Sequence, residues 1–354
     1  MSYVTQLEQE FAARVGAKYA IAMNSGTATL HATLLAMGVD KGDEVIVPGL
    51  GPIMTSAAVI QARAKPVFCD VEPLTFTMDS RASLTKLIGP NTKAVISVSL
   101  YGLPSRLDEI QAICNDHNLF HIIDNAQSVL STFRGNPVGN YALATSYSFE
   151  SSKHINVGEG GIVTVNNEYL ARKIRQYGNH GFRCLTKHPP KSELQQLGYE
   201  RHDLIGWNYR MPELVAENAL EQVKVLKEIV QRRIDAAIII RQVLREYPYF
   251  SLQAEPNDRT NSYWCVAATY HPGASDMTWS KFYKRVVELG GEGFYSAWLP
   301  PYQEQAINSI GDCPGAEFLS THLMQFPNNY TTGEAKRQAY ILRKVCEEIH
   351  HNGK

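Results

Sequence analysis

Short apolar runs alternate along this chain with stretches whose apolar residues recur at helical spacing. Residues 6–15 read as a short amphipathic helix, 18–23 as a strand, 27–37 as a helix and 44–48 as a strand. The alternation continues with a helix over 55–62, strands over 66–71 and 94–100, a helix over 106–117 and a strand over 120–124. Two further β-like runs cover 144–149 and 161–165. Strands that alternate with helices predict an α/β fold, a mostly parallel sheet covered on both faces. The stretch 213–247 has no glycine and is followed by Pro248. It predicts one long helix, with room for a single break, that crosses from a large domain to a smaller one. A strand over 263–270, a helix over 279–289 and a last helix over 334–350 then suit a small α+β domain. The expected division is 1–225 and 226–354, with no internal repeat and no low-complexity linker.

Composition narrows the function classes. The chain has 354 residues, 44% of them hydrophobic and 19% charged, as in a folded globular protein. A net charge of −1 gives no electrostatic case for a nucleic-acid or membrane partner. No apolar run approaches the roughly 20 residues of a membrane span. The N-terminal residues carry no basic-then-apolar signal pattern. Cys69, Cys114, Cys184, Cys265, Cys313 and Cys346 are scattered and none forms C-x-x-C, so no metal site is expected and a reducing cytoplasm is.

The candidate chemistry centres on Lys153. It lies in Ser148-Phe149-Glu150-Ser151-Ser152-Lys153-His154, between two β-like runs, and Gly158-Glu159-Gly160-Gly161 follows. A lysine amine can form a Schiff base with pyridoxal phosphate, and nearby hydroxyls can hold the phosphate. The alternative is a solvated loop lysine. Upstream, Asn24-Ser25-Gly26-Thr27-Ala28-Thr29-Leu30 follows an apolar run and opens a helical pattern. Ser25 or Asn24 can cap that helix, Gly26 admits a phosphate to the backbone, and the free N–H groups make an anion site. An ordinary helix cap is the competing reading. A third motif, Ile122-Ile123-Asp124-Asn125-Ala126-Gln127, ends a buried strand on Asp124. Ligands of open α/β sheets bind at such strand ends, where a carboxylate can pair with a pyridinium nitrogen. A helix-capping aspartate remains open.

In order and rough spacing, Gly26-Thr27, Asp124, Ser148 and Lys153 match the fold-type I pyridoxal phosphate enzymes. More narrowly, the chain resembles the DegT/DnrJ/EryC1/StrS family of sugar aminotransferases over nearly its whole length. Further carriers are Gly42-Asp43-Glu44-Val45-Ile46-Val47-Pro48, Pro66-Val67-Phe68-Cys69-Asp70-Val71, Asn179-His180-Gly181 and Gly206-Trp207-Asn208-Tyr209-Arg210-Met211. The resemblance implies a large domain with a mostly parallel seven-stranded sheet between helices and a smaller C-terminal α+β domain. It implies pyridoxal phosphate as cofactor, with Lys153 as its covalent anchor and proton carrier and Asp124 on the pyridine nitrogen. Gln127 would reach the ring hydroxyl. Ser25, Gly26, Thr27 and Ser148 would hold the phosphate. Asn208 would reach the phosphate of a partner subunit, which implies a homodimer with active sites at the subunit interface; a plain turn asparagine is the alternative. His180 would either face the substrate or hold its loop. Arg210 would meet a carboxylate or a sugar nucleotide, or make a structural ion pair.

Two departures stand out. Pro52 occupies the slot in which the family places an aromatic ring on the cofactor, and a proline buries less area there. The chain also begins almost at its first helix, where the family carries further residues that shape the substrate site. That implies a shortened start or a more open pocket. The leading expectation is a cytoplasmic aminotransferase that converts a keto-sugar, nucleotide-linked, to an amino sugar with glutamate or glutamine as donor. Its setting would be surface polysaccharide (lipopolysaccharide O-antigen) or glycoside biosynthesis. Amination of a keto-inositol or an eight-carbon keto-sugar acid is the second. A dehydratase is disfavoured because such family members carry histidine in place of the lysine. A non-catalytic regulator is disfavoured because the full motif set is present.

Overall fold

Strands β1 (Tyr19–Met23), β2 (Glu44–Pro48), β3 (Lys65–Cys69), β4 (Thr92–Val98) and β5 (Phe120–Asp124) belong to one sheet. After a separate ribbon of β6 (Thr132–Phe133) and β7 (Asn136–Pro137), strands β8 (Ala144–Ser148) and β9 (Gly161–Val165) complete it. The sheet has seven strands in the order β1-β9-β8-β5-β4-β2-β3. All neighbours from β8 to β3 pair in parallel, and only β9 runs against its two neighbours. The expected α/β class and seven-stranded, mostly parallel sheet are observed. The computed structural model describes residues 1–182, 195–198, 200–273, 276–307 and 309–352; Cys184 lies outside them.

Burial on both faces explains why the central strands read as continuous apolar runs. Val45, Ile46 and Val47 of β2 and Ala94, Val95 and Ile96 of β4 are all fully buried. The covering helices are α1 (Tyr3–Val15), α2 (Gly26–Ala36), α3 (Ile53–Gln61), α4 (Leu107–Asp116) and α5 (Glu168–Gly178). Helix α1 starts before the expected residue 6 because the Ser2 hydroxyl accepts the Thr5 N–H at 3.3 Å. It ends at Gly16, whose φ of 73° is the left-handed cap conformation that glycine adopts without strain. The apolar pattern did not single out α5.

The expected helix over 213–247 is two helices, Glu213–Lys224 and Leu226–Arg245, broken at Val225. Leu226 and Val230 of the second helix still share the core of the first, and only beyond them does it enter another. Ala216, Ala219, Leu220 and Val223 pack with Leu7 and Phe11 of α1, whereas Ala236, Ala237, Ile240 and Leu244 pack with Phe282, Phe326 and Leu342. The second core is covered by an antiparallel sheet of β10 (Phe250–Leu252), β11 (Val266–Tyr270), β12 (Tyr295–Ser296) and β13 (Leu323–Phe326), in the order β10-β11-β13-β12. Helices Trp279–Glu288 and Thr332–Asn352 complete this layer, and Pro314–His322 packs toward the first core through Ala316 and Leu319.

Residues 263–265 do not join β11, contrary to the strand expected over 263–270. Tyr263 has φ of 51°, its N–H goes to the Asn261 side chain at 2.7 Å, and the Trp264 N–H goes to the Tyr101 carbonyl at 3.2 Å. Backbone donors committed to Asn261 and Tyr101 cannot serve a ladder.

Candidate active site

The carboxyl ends of β5 and β8 carry Asp124 and Ser148, and the connection from β8 to β9 carries Lys153. Pairing of Ser148 with Gly161 across these two strands fixes both ends of that connection. Inside it, the Phe149 N–H reaches the Gly160 carbonyl at 2.9 Å and the Val157 N–H reaches the Phe149 carbonyl at 3.0 Å. Phe149 and Ile155 are buried among α1 and the Glu213–Lys224 helix. The loop is therefore packed from beneath, and Lys153 stands on a fixed base.

Lys153 is not a solvated surface lysine. Its side chain is only 15% exposed, with Nζ 4.0 Å from Glu150 Oε2 and 4.8 Å from the centre of the Trp264 ring. Burial lowers its pKa and outweighs the opposing pull of Glu150 and Asp124. More of the amine is thus neutral near physiological pH than in a free lysine. Glu150 is held in turn by the Ser151 hydroxyl and by the Ser152 N–H and hydroxyl.

Asp124 is buried at the end of its strand. The Thr55 hydroxyl donates to Oδ2 at 2.8 Å and the Ala126 N–H donates to Oδ1 at 3.2 Å. Burial raises its pKa, while those two donors and the Lys153 charge favour the carboxylate. It caps no helix. Three residues on, Gln127 Oε1 accepts the Tyr101 N–H at 2.9 Å, and its buried Nε2 has no hydrogen-bond partner among the described residues. A buried amide donor left unpaired costs about 1–3 kcal/mol, so Nε2 is poised for an acceptor that a ligand brings.

The Ser25 hydroxyl caps α2 by accepting the Ala28 N–H at 3.1 Å. A side chain on Gly26 would bring its Cβ within 3.0 Å of Ser148 Cβ, and one on Gly161 would bring its Cβ within 2.4–2.5 Å of the Ser25 and Gly26 backbone. These glycines let the start of α2 close against the end of β8 and the start of β9. Thr27 is half-buried in the first turn of α2. The structure thus brings Ser25, Gly26 and Ser148 together on one side and Asp124 and Lys153 on another. Pro52 precedes α3, one turn before Thr55.

Three of the remaining sequence candidates sit beside the end of β1, where the Asn24 N–H goes to the Tyr209 carbonyl at 2.8 Å and Met23 bridges Arg210. Asn208 is exposed, and its backbone forms a bridge with Asn179. His180 is exposed at φ of 55°, with its N–H on the Trp207 carbonyl at 2.9 Å. Arg210 donates to Asn179 Oδ1 at 3.1 Å. These three form one surface loop cluster. His154 is buried and its Nε2 donates to the Ser262 carbonyl at 2.9 Å. Burial, then the Arg233 charge, pushes it down to about 3, so it is a neutral neighbour of Lys153.

With this geometry in hand, comparison with known proteins is decisive for the family. The family model for the DegT/DnrJ/EryC1/StrS aminotransferases matches residues 2–345. The chain belongs to that family. The chain is similar to GDP-perosamine synthase of Caulobacter vibrioides, 37% identical over 65% of this chain and 59% of that protein. It is also similar to an L-glutamine:2-deoxy-scyllo-inosose aminotransferase of Streptomyces paromomycinus, 34% identical over 75% of this chain and 62% of that protein. The matches therefore span less than two thirds of either relative. Among solved structures, an aminotransferase from Psychrobacter cryohalolentis superposes with a TM-score of 0.89 at 28% identity, covering 98% of this chain and 92% of that one.

Membership in this aminotransferase family implies pyridoxal phosphate, and the residues present fit it. The unpaired Gln127 amide, the buried Asp124 carboxylate, the sheltered Lys153 amine and the glycine-lined start of α2 supply the partners such a group requires. Among the described residues no cluster of three metal-ligating side chains occurs, and no helix is long and apolar enough to cross a membrane.

Sequence reading missed Thr55, Tyr101, Trp264 and Arg233. Thr55 and Tyr101 lie in ordinary apolar surroundings, and only the contacts to Asp124 and Gln127 mark them. Trp264 was subsumed in an expected strand. The turn Leu100-Tyr101-Gly102 carried a signal in its glycine, which sits at φ of 108° against the Asn261 side chain and the Tyr263 backbone.

Proposed function

We propose that this protein transfers an amino group from glutamate or glutamine to a nucleotide-linked keto-sugar, with pyridoxal phosphate held by Lys153, Asp124, Gln127, Ser25, Gly26, Thr27, Ser148 and Pro52. The observation that carries this reading is the meeting of a sheltered, partly neutral lysine with a buried carboxylate at the carboxyl edge of the sheet. When bound, pyridoxal phosphate supplies an aldehyde that condenses with amines and a ring that accepts an electron pair. The chain supplies the rest. Lys153 Nζ would anchor the group and, once an incoming amine displaces it, would carry a proton between two carbons. Asp124, fixed by Thr55 and Ala126, receives the ring N–H, and Gln127 Nε2 donates to the ring hydroxyl. Ser25, Thr27, Ser148 and the free N–H groups of α2 receive the phosphate. Pro52 packs on the ring.

Borohydride reduction of the protein loaded with pyridoxal phosphate, followed by peptide mapping, is expected to tag Lys153. A tag on any other lysine sinks the assignment. Substrate class is read by incubating keto-sugars with glutamate or glutamine and following product mass. The relative named for a GDP-linked amino sugar supports the nucleotide-linked reading. The relative named for an inosose and L-glutamine favours a second reading, amination of a keto-cyclitol. An eight-carbon keto-sugar acid belongs in the same screen.

The same proposal makes the enzyme a cytoplasmic homodimer with shared sites. The free, buried state of Cys69, Cys114, Cys265, Cys313 and Cys346 suits a reducing compartment. Exposed Asn208, with exposed Ile205 and Trp207 nearby, suits a loop that a partner subunit covers. Mixing Lys153→Ala with Asn208→Ala subunits should restore part of the activity, because a heterodimer gathers both defects in one site and leaves the other intact. Full activity of Asn208→Ala alone, or an active monomer at assay concentration, removes this part of the proposal. Within such a dimer, Arg210 and His180 would border the substrate from the partner's side.

A further inference from the structure

Arg233 lies midway along the Leu226–Arg245 helix and is only 3% exposed. Its Nη2 donates to the carbonyl oxygens of Ser152 at 2.9 Å and Lys153 at 2.8 Å. Its Nη1 donates to the Trp264 carbonyl at 2.9 Å and to Asn328 Oδ1 at 3.5 Å. The two carbonyls on Nη2 belong to the peptide groups that flank the Lys153 Cα, so a single nitrogen restrains the lysine backbone on both sides. The same guanidinium fixes the backbone of Trp264, whose ring faces Lys153 Nζ and whose Nε1–H shares the Ser152 carbonyl at 3.0 Å. Asn328 closes the arrangement by donating to the carbonyls of Tyr263 at 2.8 Å and Arg233 at 3.2 Å.

Packing does not account for this residue. Among the described residues no carboxylate lies within ion-pair distance of Arg233, so its charge rests on carbonyl dipoles alone. Burial pushes it down to about 10. A buried charge without a counter-ion is costly, and an apolar side chain of similar volume would serve a core better. We propose that Arg233 is a positioning residue for Lys153, pinning both of its flanking peptide groups to the C-terminal layer of the molecule so that the amine keeps its place opposite Asp124 and Trp264. Its charge also acts on the amine. Glu150, Asp124 and Cys265 favour the protonated form of Lys153, and Arg233 opposes it; neutral His154 stands beside both. The inference builds on Lys153 as the reactive lysine, but its test needs neither substrate nor turnover.

The full chain, purified without added pyridoxal phosphate, is compared with Arg233→Met and Arg233→Lys by two measurements. Hydrogen exchange reads the restraint on residues 150–157. Competitive acetylation across pH, quantified on the Lys153 peptide, reads the amine. Arg233→Met should speed exchange in 150–157 by roughly tenfold, the loss expected for charge-assisted hydrogen bonds, with β4 and β5 unchanged. Its Lys153 labelling midpoint should move to higher pH. Arg233→Lys keeps the charge but cannot fork across four acceptors, so exchange should rise while the midpoint returns toward wild type. If Arg233→Met does not fold, the exchange pattern of Arg233→Lys decides alone. Unchanged protection in 150–157, or a uniform rise across both sheets, overturns the proposal and leaves Arg233 a core residue. If borohydride tags a different lysine while these shifts occur, the reactive-lysine assignment fails and the clamp stands.

Discussion

Replacing Lys153 with alanine is expected to abolish amination while leaving the fold intact. The loss should be at least about 10²–10⁴-fold in kcat, the usual contribution of a positioned acid–base group, and larger because the proposed covalent anchor goes too. Little holds the fold through this side chain. Its ion pair with Glu150 spans 4.0 Å, and the Glu150 side chain is 34% exposed, where such pairs are worth about 0–1 kcal/mol. The sign of the electrostatic effect can be worked out. Burial lowers the folded-state pKa of Lys153 below that of an unfolded lysine. The charged amine therefore opposes folding, fully at pH below the folded value and not at all above the unfolded one. At neutral pH the alanine variant should melt no earlier than wild type. Pre-steady-state amination assays and a thermal melt check both halves. Turnover within tenfold of wild type would remove Lys153 from the mechanism, and a collapsed melt would make it structural.

Asp124→Asn is expected to keep the fold and lose about 10²–10³-fold in kcat, a loss of about 3–4 kcal/mol of transition-state stabilisation. The amide has nearly the same shape; its Oδ1 can still accept the Ala126 N–H, and its Nδ2 can donate to the Thr55 hydroxyl oxygen. It cannot hold a ring nitrogen in its protonated form, the role proposed for the Asp124 carboxylate. Asp124 also favours the charged form of Lys153. The asparagine variant should therefore acetylate Lys153 at lower pH than wild type does. Steady-state kinetics and the labelling profile are the measurements. Near-native turnover with an unmoved profile would reduce Asp124 to a strand-end residue tied to Thr55 and Ala126.

The sequence by itself determined the α/β class, the seven-stranded sheet and the family. Strands such as Glu44–Pro48, Phe120–Asp124 and Gly161–Val165 have the bounds their apolar runs predict, because a strand buried on both faces writes its limits into local composition. Lys153, Asp124, Gln127 and Ser25-Gly26 could be singled out because each sits in a motif that is local in sequence. Only the tertiary structure decided what surrounds them. Thr55 reaches Asp124 across 69 positions of chain, and Arg233 reaches the Lys153 carbonyl across 80. Nothing in the neighbourhood of Thr55 or Arg233 announces either contact. The irregular start of β11 has the same origin: in an apolar, strand-like run the Trp264 N–H goes to the Tyr101 carbonyl in the turn after β4. Hydrophobic periodicity reports which face of an element is buried, but not against which partner, and hydrogen bonds between distant segments leave no period in the sequence at all.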